Sequence, residues 1–182
     1  MVIGKQGEES EQYKEFWNII KQKQIQVAVV EKGDIINIEQ NLKIRVLFPQ
    51  KDFIGDNMLN NNSLVFKMEY KEFKMLFTGD IEQIAEEKIL KEYEDTDILE
   101  ATILKIAHHG SKTSTIKRFI QAVKPKIALI GVGGNNKFGH PNEEVLNRLK
   151  EFRIKIYRTD ECGEIRIKTN GIEIKETMAV IP

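Results

Sequence analysis

The sequence predicts an α/β fold in an α+β arrangement, and three observations support this. Short β-rich runs dominate the first half, as at residues 26–30 and 42–48. In the second half, β-rich runs alternate with amphipathic helical patterns. An Asn-Gly turn at Asn170 and Gly171 then joins two final strands as a hairpin.

The individual elements follow from their local patterns. Ser10 is placed to cap a helix in which Tyr13, Phe16, Trp17 and Ile20 recur at three- and four-residue spacing. Residues 64–68 and 73–77 are two β-rich runs that are predicted to pair as a hairpin. Residues 178–182 are predicted to be a frayed tail. The remaining predicted elements are strands at 26–30, 35–38, 42–48, 101–107, 126–132, 155–157, 164–168 and 172–175, and helices at 81–93, 114–123 and 141–152.

Length and composition bound the class of protein. The 182 residues predict a single domain, 1–182, and 28 basic residues balance 28 acidic ones. A neutral chain has no general electrostatic attraction for duplex DNA. The single cysteine, Cys162, excludes an internal disulfide framework. No apolar run approaches the roughly 18 residues of a membrane span, and the sequence therefore predicts a soluble domain.

Polar side chains follow three of the predicted strands. Asp80 comes after strand 73–77, His108 and His109 follow strand 101–107, and His140 follows strand 126–132. Ligands of α/β sheets gather beyond the carboxyl ends of the strands, so we expect these residues at one edge. Carboxylate and neutral imidazole are common ligands of zinc and manganese. The pattern therefore predicts a metal or catalytic site.

Each of these residues also has a structural interpretation. Asp80 follows Thr-Gly directly before a helix, where an aspartate often serves as the N-cap. His108 and His109 would be loop residues that hydrogen-bond the backbone, and His140 would be a helix-start residue. A histidine pair followed by Gly-Ser favours a functional role, whereas the two interpretations of Asp80 and of His140 are balanced.

Polar loops near these positions are candidates for substrate contacts. Ser111 and Lys112 precede a predicted helix, whose start would bind phosphate, although ordinary capping is the simpler explanation. Asn136 follows two glycines that would let a substrate approach the backbone. The asparagine-rich run at 57–62 is predicted to be a solvated loop.

Three ordered segments carry a resemblance to a known family. They read Leu-Phe-Thr-Gly-Asp at 76–80, Leu-Lys-Ile-Ala-His-His-Gly-Ser-Lys-Thr-Ser at 104–114 and Asn-Asn-Lys-Phe-Gly-His-Pro at 135–141. Together they resemble the metallo-β-lactamase superfamily, and specifically the C-terminal hydrolase domain of ComEC-type DNA-uptake proteins. The resemblance covers about residues 60–168.

The resemblance implies an αββα sandwich and a centre of two divalent ions, zinc or manganese. Asp80 would bridge the two ions and His109 would bind one of them. These two residues would act in catalysis with His140, which would lie near the phosphate or the leaving group. The implied substrate contacts are His108, Ser111, Lys112, Asn136 and His140. Many relatives place a further histidine ligand where this sequence has Asn62 and Ser63.

The sequence departs from the superfamily at its amino-terminal side. The usual His-x-His-x-Asp-His motif is absent, no histidine precedes His108, and few residues precede Asn60. We therefore expect a domain whose first half is incomplete, and which alone binds metal weakly and is weakly active or inactive. An uncovered sheet surface would favour a homo-oligomer.

Three functions follow from the resemblance. The first is the C-terminal part of a metal-dependent phosphodiesterase or nuclease that acts on DNA during uptake. Its partners would be DNA and the membrane channel region of a larger protein, which would attach it to the bacterial membrane. The second is hydrolysis of a small ester or lactone in the same fold. The third is a non-catalytic domain that docks onto a DNA-uptake channel.

Overall fold

The computed structural model describes residues 1–5 and 10–179. The strands are β1 (Val2–Gly4), β2 (Ala28–Val30), β3 (Ile35–Glu39), β4 (Leu42–Phe48), β5 (Val65–Tyr70), β6 (Phe73–Phe77), β7 (Ile103–Lys105), β8 (Ile127–Ile130), β9 (Lys155–Arg158), β10 (Glu164–Thr169) and β11 (Ile174–Ala179). The helices are α1 (Glu11–Gln22), α2 (Met58–Asn61), α3 (Gln83–Tyr93), α4 (Lys117–Val123), α5 (Glu143–Glu151) and α6 (Thr159–Cys162). A short 3₁₀ turn spans Ala107–Gly110.

A seven-stranded mixed sheet forms the centre of the fold, in the order β3-β4-β5-β6-β7-β8-β9. Strands β3 to β6 pair antiparallel, and β6 to β9 pair parallel. Parallel neighbours need crossover connections, and α3, α4 and α5 lie in the three connections from β6 to β9. The predicted α/β fold is therefore confirmed.

The two faces of this sheet bury different side chains because successive residues of a strand point to opposite sides. Leu76 and Leu104 pack in a core with apolar residues of α3, α4 and α5. Their neighbours Met75 and Ile103 belong to a second cluster, which includes side chains of the β10–β11 hairpin such as Ile165. The helices therefore cover one face, and the hairpin packs against the other.

Most predicted elements are confirmed with shifted ends. Ser10 caps α1 as expected, since its Oγ accepts the N–H of Tyr13 at 3.2 Å. Helix α5 begins two residues later than predicted because Asn142 caps it by accepting the N–H of Glu144. Strand β7 is shorter than predicted because the chain turns at Ala107–Gly110.

The prediction of a frayed carboxyl-terminal tail is wrong for its first two residues, because β11 continues to Ala179. Residues 180–182 lie outside the described residues. Among the helices that the structure describes, none has the length and apolar character needed to cross a membrane.

Candidate metal and substrate site

Asp80 lies in a turn that neighbouring strands hold in place. The Thr78 hydroxyl donates to the carbonyl of Lys105 at 2.6 Å, and the Asp80 N–H donates to Ser63 Oγ at 3.1 Å. Gly79 adopts φ +55°, and a Cβ there would lie 2.6 Å from Ser63 Cβ. A side chain at this position would therefore be strained and would clash. The turn positions the Asp80 carboxylate, which remains 41% exposed.

The interpretation of Asp80 as a helix cap is wrong, since the N-cap of α3 is Glu82. His140 likewise precedes Asn142, the residue that caps α5. Neither side chain is needed to begin a helix.

His109 faces Asp80 across the turn. Its Nδ1 lies 2.6 Å from the carbonyl oxygen of Gly131, and its Nε2 lies 3.7 Å from Asp80 Oδ1. A carbonyl accepts only from a protonated nitrogen, so this contact places a proton on Nδ1, and in the neutral ring the Nε2 lone pair is directed towards Asp80. His108 and His109 both adopt left-handed backbone conformations, with φ of 47° and 54°. Such strain in non-glycine residues is concentrated at functional sites.

Asp80 and His109 fit a divalent cation. Two donor atoms that bind one zinc ion at about 2.0–2.2 Å lie roughly 3–4 Å apart, and the observed separation is 3.7 Å. A carbonyl that accepts from the second ring nitrogen is the usual way in which a metal-binding histidine is oriented. Within residues 1–5 and 10–179, however, no group of three or more His, Cys, Asp or Glu side chains is arranged to hold a metal ion. The described residues therefore offer an incomplete ligand set.

The asparagine-rich run is a solvated loop only in part, because residues 57–59 are exposed as predicted but residues 58–61 form α2. Asn61 and Asn62 are fully buried. Asn62 hydrogen-bonds both the N–H and the carbonyl of Ile54, at 3.0 and 2.9 Å. Asn57 and Asn61 donate to Glu82 Oε2 at 2.9 and 3.3 Å. The run therefore holds a carboxylate beside the site.

Glu82 in turn faces His108. Its Oε1 accepts from the Thr113 hydroxyl at 2.8 Å and lies 3.6 Å from His108 Nδ1. The Nδ1 atom is buried without a hydrogen-bond partner. Burial opposes ionisation of Glu82, but donors from Asn57 and Thr113 hold the pKa of its carboxyl below the usual value. An ionised carboxylate therefore lies next to a histidine nitrogen that has no other partner.

His140 lies in a loop closed by Asn136. The Asn136 amide donates to the carbonyl of His140 at 2.7 Å and to that of Gly133 at 3.0 Å, while its oxygen accepts the His140 N–H at 2.9 Å. The His140 ring lies 5.6 Å from the His108 ring and 5.9 Å from that of Phe138, measured between centroids. Asn136 therefore shapes this loop, and its predicted contact with substrate stays a prediction.

A cavity of about 390 Å³ lies at this edge of the sheet, and its lining includes His109, Asn136, Phe138 and His140. The structure thus brings Asp80, His108, His109 and His140 to the carboxyl ends of β6, β7 and β8, as the strand order predicts. Their roles stay predictions.

Ser111 and Lys112 occupy different environments. Ser111 is buried, and its hydroxyl lies 3.0 Å from that of Thr113. Lys112 is exposed, and its carbonyl accepts weakly from Arg148 at 3.5 Å. Helix α4 begins only at Lys117. The N-cap of α4 is Ile116, which makes no side-chain cap, so the capping interpretation of Ser111 and Lys112 is wrong. Their predicted contact with substrate stays a prediction.

Lys105, at the end of β7, was not among the residues that the sequence pattern indicated. Its Nζ donates to the carbonyl of Ile106 at 2.6 Å. Burial lowers the pKa of its ammonium group, and the Asp80 charge acts in the opposite direction. Glu82 and Phe138 were also missed, although both lie inside the motif segments or directly beside them. Phe138 lies within the segment 135–141 and Glu82 lies two residues after Asp80, so their position in or beside the motifs was the sequence signal for both.

Comparisons with known proteins concern the fold and the sequence relatives of the chain. No protein-family model matches the sequence. The solved structure of a protein described as a metal-dependent hydrolase from Parabacteroides distasonis superposes with a TM-score of 0.50 over 87% of this chain and 76% of that chain, at 17% identity. That likeness shows the fold alone. The two proteins thus share a mixed α/β fold.

The relatives found by sequence comparison are competence proteins. ComE operon protein 3 of Bacillus subtilis is 35% identical over 144 residues, which are 79% of this chain and 18% of that protein. Competence protein ComA of Neisseria gonorrhoeae is 35% identical over 107 residues, 59% of this chain and 15% of that protein. The chain is therefore homologous to part of the ComEC-type competence proteins. It spans less than a fifth of the length of these relatives.

Proposed function

We propose that the chain is a hydrolase-type domain of a DNA-uptake protein, and that its site acts on phosphodiesters of DNA. The observation that carries this proposal is the pairing of Asp80 with His109 at 3.7 Å, with His109 Nε2 free to bind a cation. The competence relatives support DNA as the substrate. Attachment to a membrane channel region belongs to the same proposal.

In this proposal, each residue of the site has a defined task. Asp80 and His109 bind a divalent cation, whose contribution would be Lewis-acid polarisation of the scissile phosphodiester. The carbonyl of Gly131 fixes the tautomer and the direction of His109. Glu82 orients His108 towards the substrate, and His140 lines the same cavity as His109.

The openness of the site favours a polymer over a small ester or lactone. Small-molecule sites usually enclose most of their ligand. Here the side chains of Asp80 and His109 are 41% and 49% exposed, so a strand of DNA can pass across them.

The proposal is tested first by metal binding. Calorimetric titration with Mn²⁺ or Zn²⁺ should show weak binding by the wild type. Asp80→Asn and His109→Gln should each weaken it by about tenfold or more, because each removes one ligand. Asp97→Asn, an exposed aspartate at the opposite end of β7, is the charge-matched control and should bind as the wild type does.

The rate at which a single-stranded oligonucleotide is hydrolysed in the presence of Mn²⁺ should then be lower in Asp80→Asn and His109→Gln than in the wild type, and unchanged in Asp97→Asn. Unchanged metal affinity in both Asp80→Asn and His109→Gln would refute the assignment of these ligands.

A second candidate function is a non-catalytic docking domain. It is favoured by the incomplete ligand set of the described residues. Absence of metal binding and of hydrolysis in the wild type, at millimolar metal, would support this function over the first.

A further inference from the structure

Phe138 is an exposed aromatic side chain at the rim of the candidate site. Its exposed fraction is 82%, the highest among the large hydrophobic residues that the structure describes. Single exposed apolar residues are common on protein surfaces and carry no meaning alone. Phe138, however, lines the same mostly apolar cavity as His109 and His140.

The Phe138 ring contacts one neighbouring ring. It stacks near-parallel on His140, at 5.9 Å between centroids and 18° between planes. The loop beneath it is closed by three hydrogen bonds of the Asn136 side chain, two of them to the backbone of His140. Gly139, with φ +68°, provides the turn between the two rings. The loop that carries the ring is thus closed by hydrogen bonds, which lowers the entropy cost of binding a planar partner.

We propose that Phe138 is a stacking platform for a nucleobase of single-stranded DNA. Every base has an apolar face, so such a platform binds strands of any sequence. A base on the open face of Phe138 would extend the stack that Phe138 forms with His140. The adjoining phosphodiester would then lie over the cavity beside His109. This proposal rests on the proposed action on DNA and defines which form of DNA the site takes.

The charge of the chain is consistent with this mode of binding. Basic and acidic residues balance at 28 each, so general attraction to phosphates is weak. Stacking is therefore expected to contribute a large share of the affinity. The exposed Lys137 next to Phe138 is the nearest basic residue in the loop sequence.

The test is strand binding measured by fluorescence anisotropy in EDTA, so that neither metal nor cleavage contributes. The probes are a labelled oligothymidylate and a strand of equal length whose residues are abasic. Phe138→Ala should weaken binding to the intact strand by about tenfold. It should leave binding to the abasic strand unchanged, whereas Phe138→Trp should retain or strengthen binding to the intact strand. Ile172→Ala removes an exposed apolar side chain in the distant hairpin and should have no effect.

The outcomes separate this proposal from the proposed catalytic function. Equal affinity of wild type and Phe138→Ala for the intact strand would overturn the stacking role, even if Asp80-dependent hydrolysis is observed. A loss confined to the intact strand would support stacking, even if metal binding and hydrolysis are absent. Equal losses on both strands would also overturn it, because the side chain would then act on the backbone or on the loop. The stacking role would also be overturned if the wild type binds neither strand at millimolar concentration.

Discussion

Glu86→Gln is expected to remove a pH dependence of stability that this buried carboxyl creates. Glu86 lies on α3 and is fully buried. Its two oxygens accept the N–H groups of Thr115 at 2.6 Å and Ile116 at 2.9 Å, and thereby fix the loop before α4. Burial raises the pKa of the carboxyl to about 7, and Glu87 adds to the increase, against the two N–H donors and Arg148.

The direction of this pH dependence follows from comparing the ionisation of Glu86 in the folded and the unfolded chain. Below about pH 4.5 the carboxyl is protonated in both, and its ionisation costs nothing. As the pH rises from 4.5 to about 7, the unfolded chain ionises first, and the folded protein loses stability. At about 1.4 kcal/mol per pH unit, this loss is about 3 kcal/mol and becomes constant above the folded pKa.

A glutamine at position 86 cannot ionise and therefore lacks this slope. Its carboxamide accepts only one of the two N–H groups, which costs about 1–3 kcal/mol at every pH. Urea unfolding followed by circular dichroism at pH 5, 6, 7 and 8 measures both effects. The stability of wild type relative to Glu86→Gln should fall by about 2–3 kcal/mol between pH 5 and pH 8.

The matched control is Glu87→Gln, which removes an exposed carboxylate from the next position of the same helix. Its pH profile should run parallel to that of the wild type. If the profile of Glu86→Gln is also parallel, the N–H donors outweigh burial and the pKa of Glu86 is not raised.

Two further substitutions test packing, one in the central sheet and one directly beside the proposed site. Lys67 is 3% exposed, and burial lowers the pKa of its ammonium group. Glu69, at 3.6 Å, keeps Lys43 and Arg45 as partners, so Lys67→Met removes a buried charge without leaving Glu69 unpaired and should raise the free energy of unfolding by about 1 kcal/mol. The exposed control Lys43→Met should change it by less than about 0.5 kcal/mol, and a clear loss of stability in Lys67→Met would contradict the expectation. Gly110→Ala should destabilise by about 2–3 kcal/mol, because Gly110 has φ +83° and a Cβ would lie 2.6 Å from Pro141 Cβ. Gly133→Ala meets no neighbouring atom within 4 Å, and equal stability of the two alanine variants in thermal melts would show that the predicted clash is relieved.

The parts of the fold that the sequence predicted are those that depend on local periodicity. Strand β4 and the hairpin of β5 and β6 were located because alternating side chains must match a two-faced sheet. The approach of Asp80 to His109 was also predictable. Parallel neighbours β6 and β7 end at the same edge, so residues that directly follow them converge.

The missed features depend on contacts between distant segments. The buried state of Asn61 follows from its hydrogen bonds to Glu82, 21 residues away, and composition alone assigns such a residue to solvent. The exposure of Phe138 reverses the ordinary rule that aromatic side chains are buried. A pattern of apolar residues cannot show it, because the Asn136 bonds that present the ring form only in the folded loop.

Asp80 and His109 are held by different backbone contacts, so a substitution that displaces one of them need not displace the other. Ser63 and the Gly79 turn fix Asp80, and the carbonyl of Gly131 fixes His109. The backbone of Asp80 and the ring of His109 are fixed before a cation arrives, so we expect weak metal binding to reflect the number of ligands. The ring of Phe138 depends on neither contact. We therefore expect strand binding to survive the loss of Asp80 or His109.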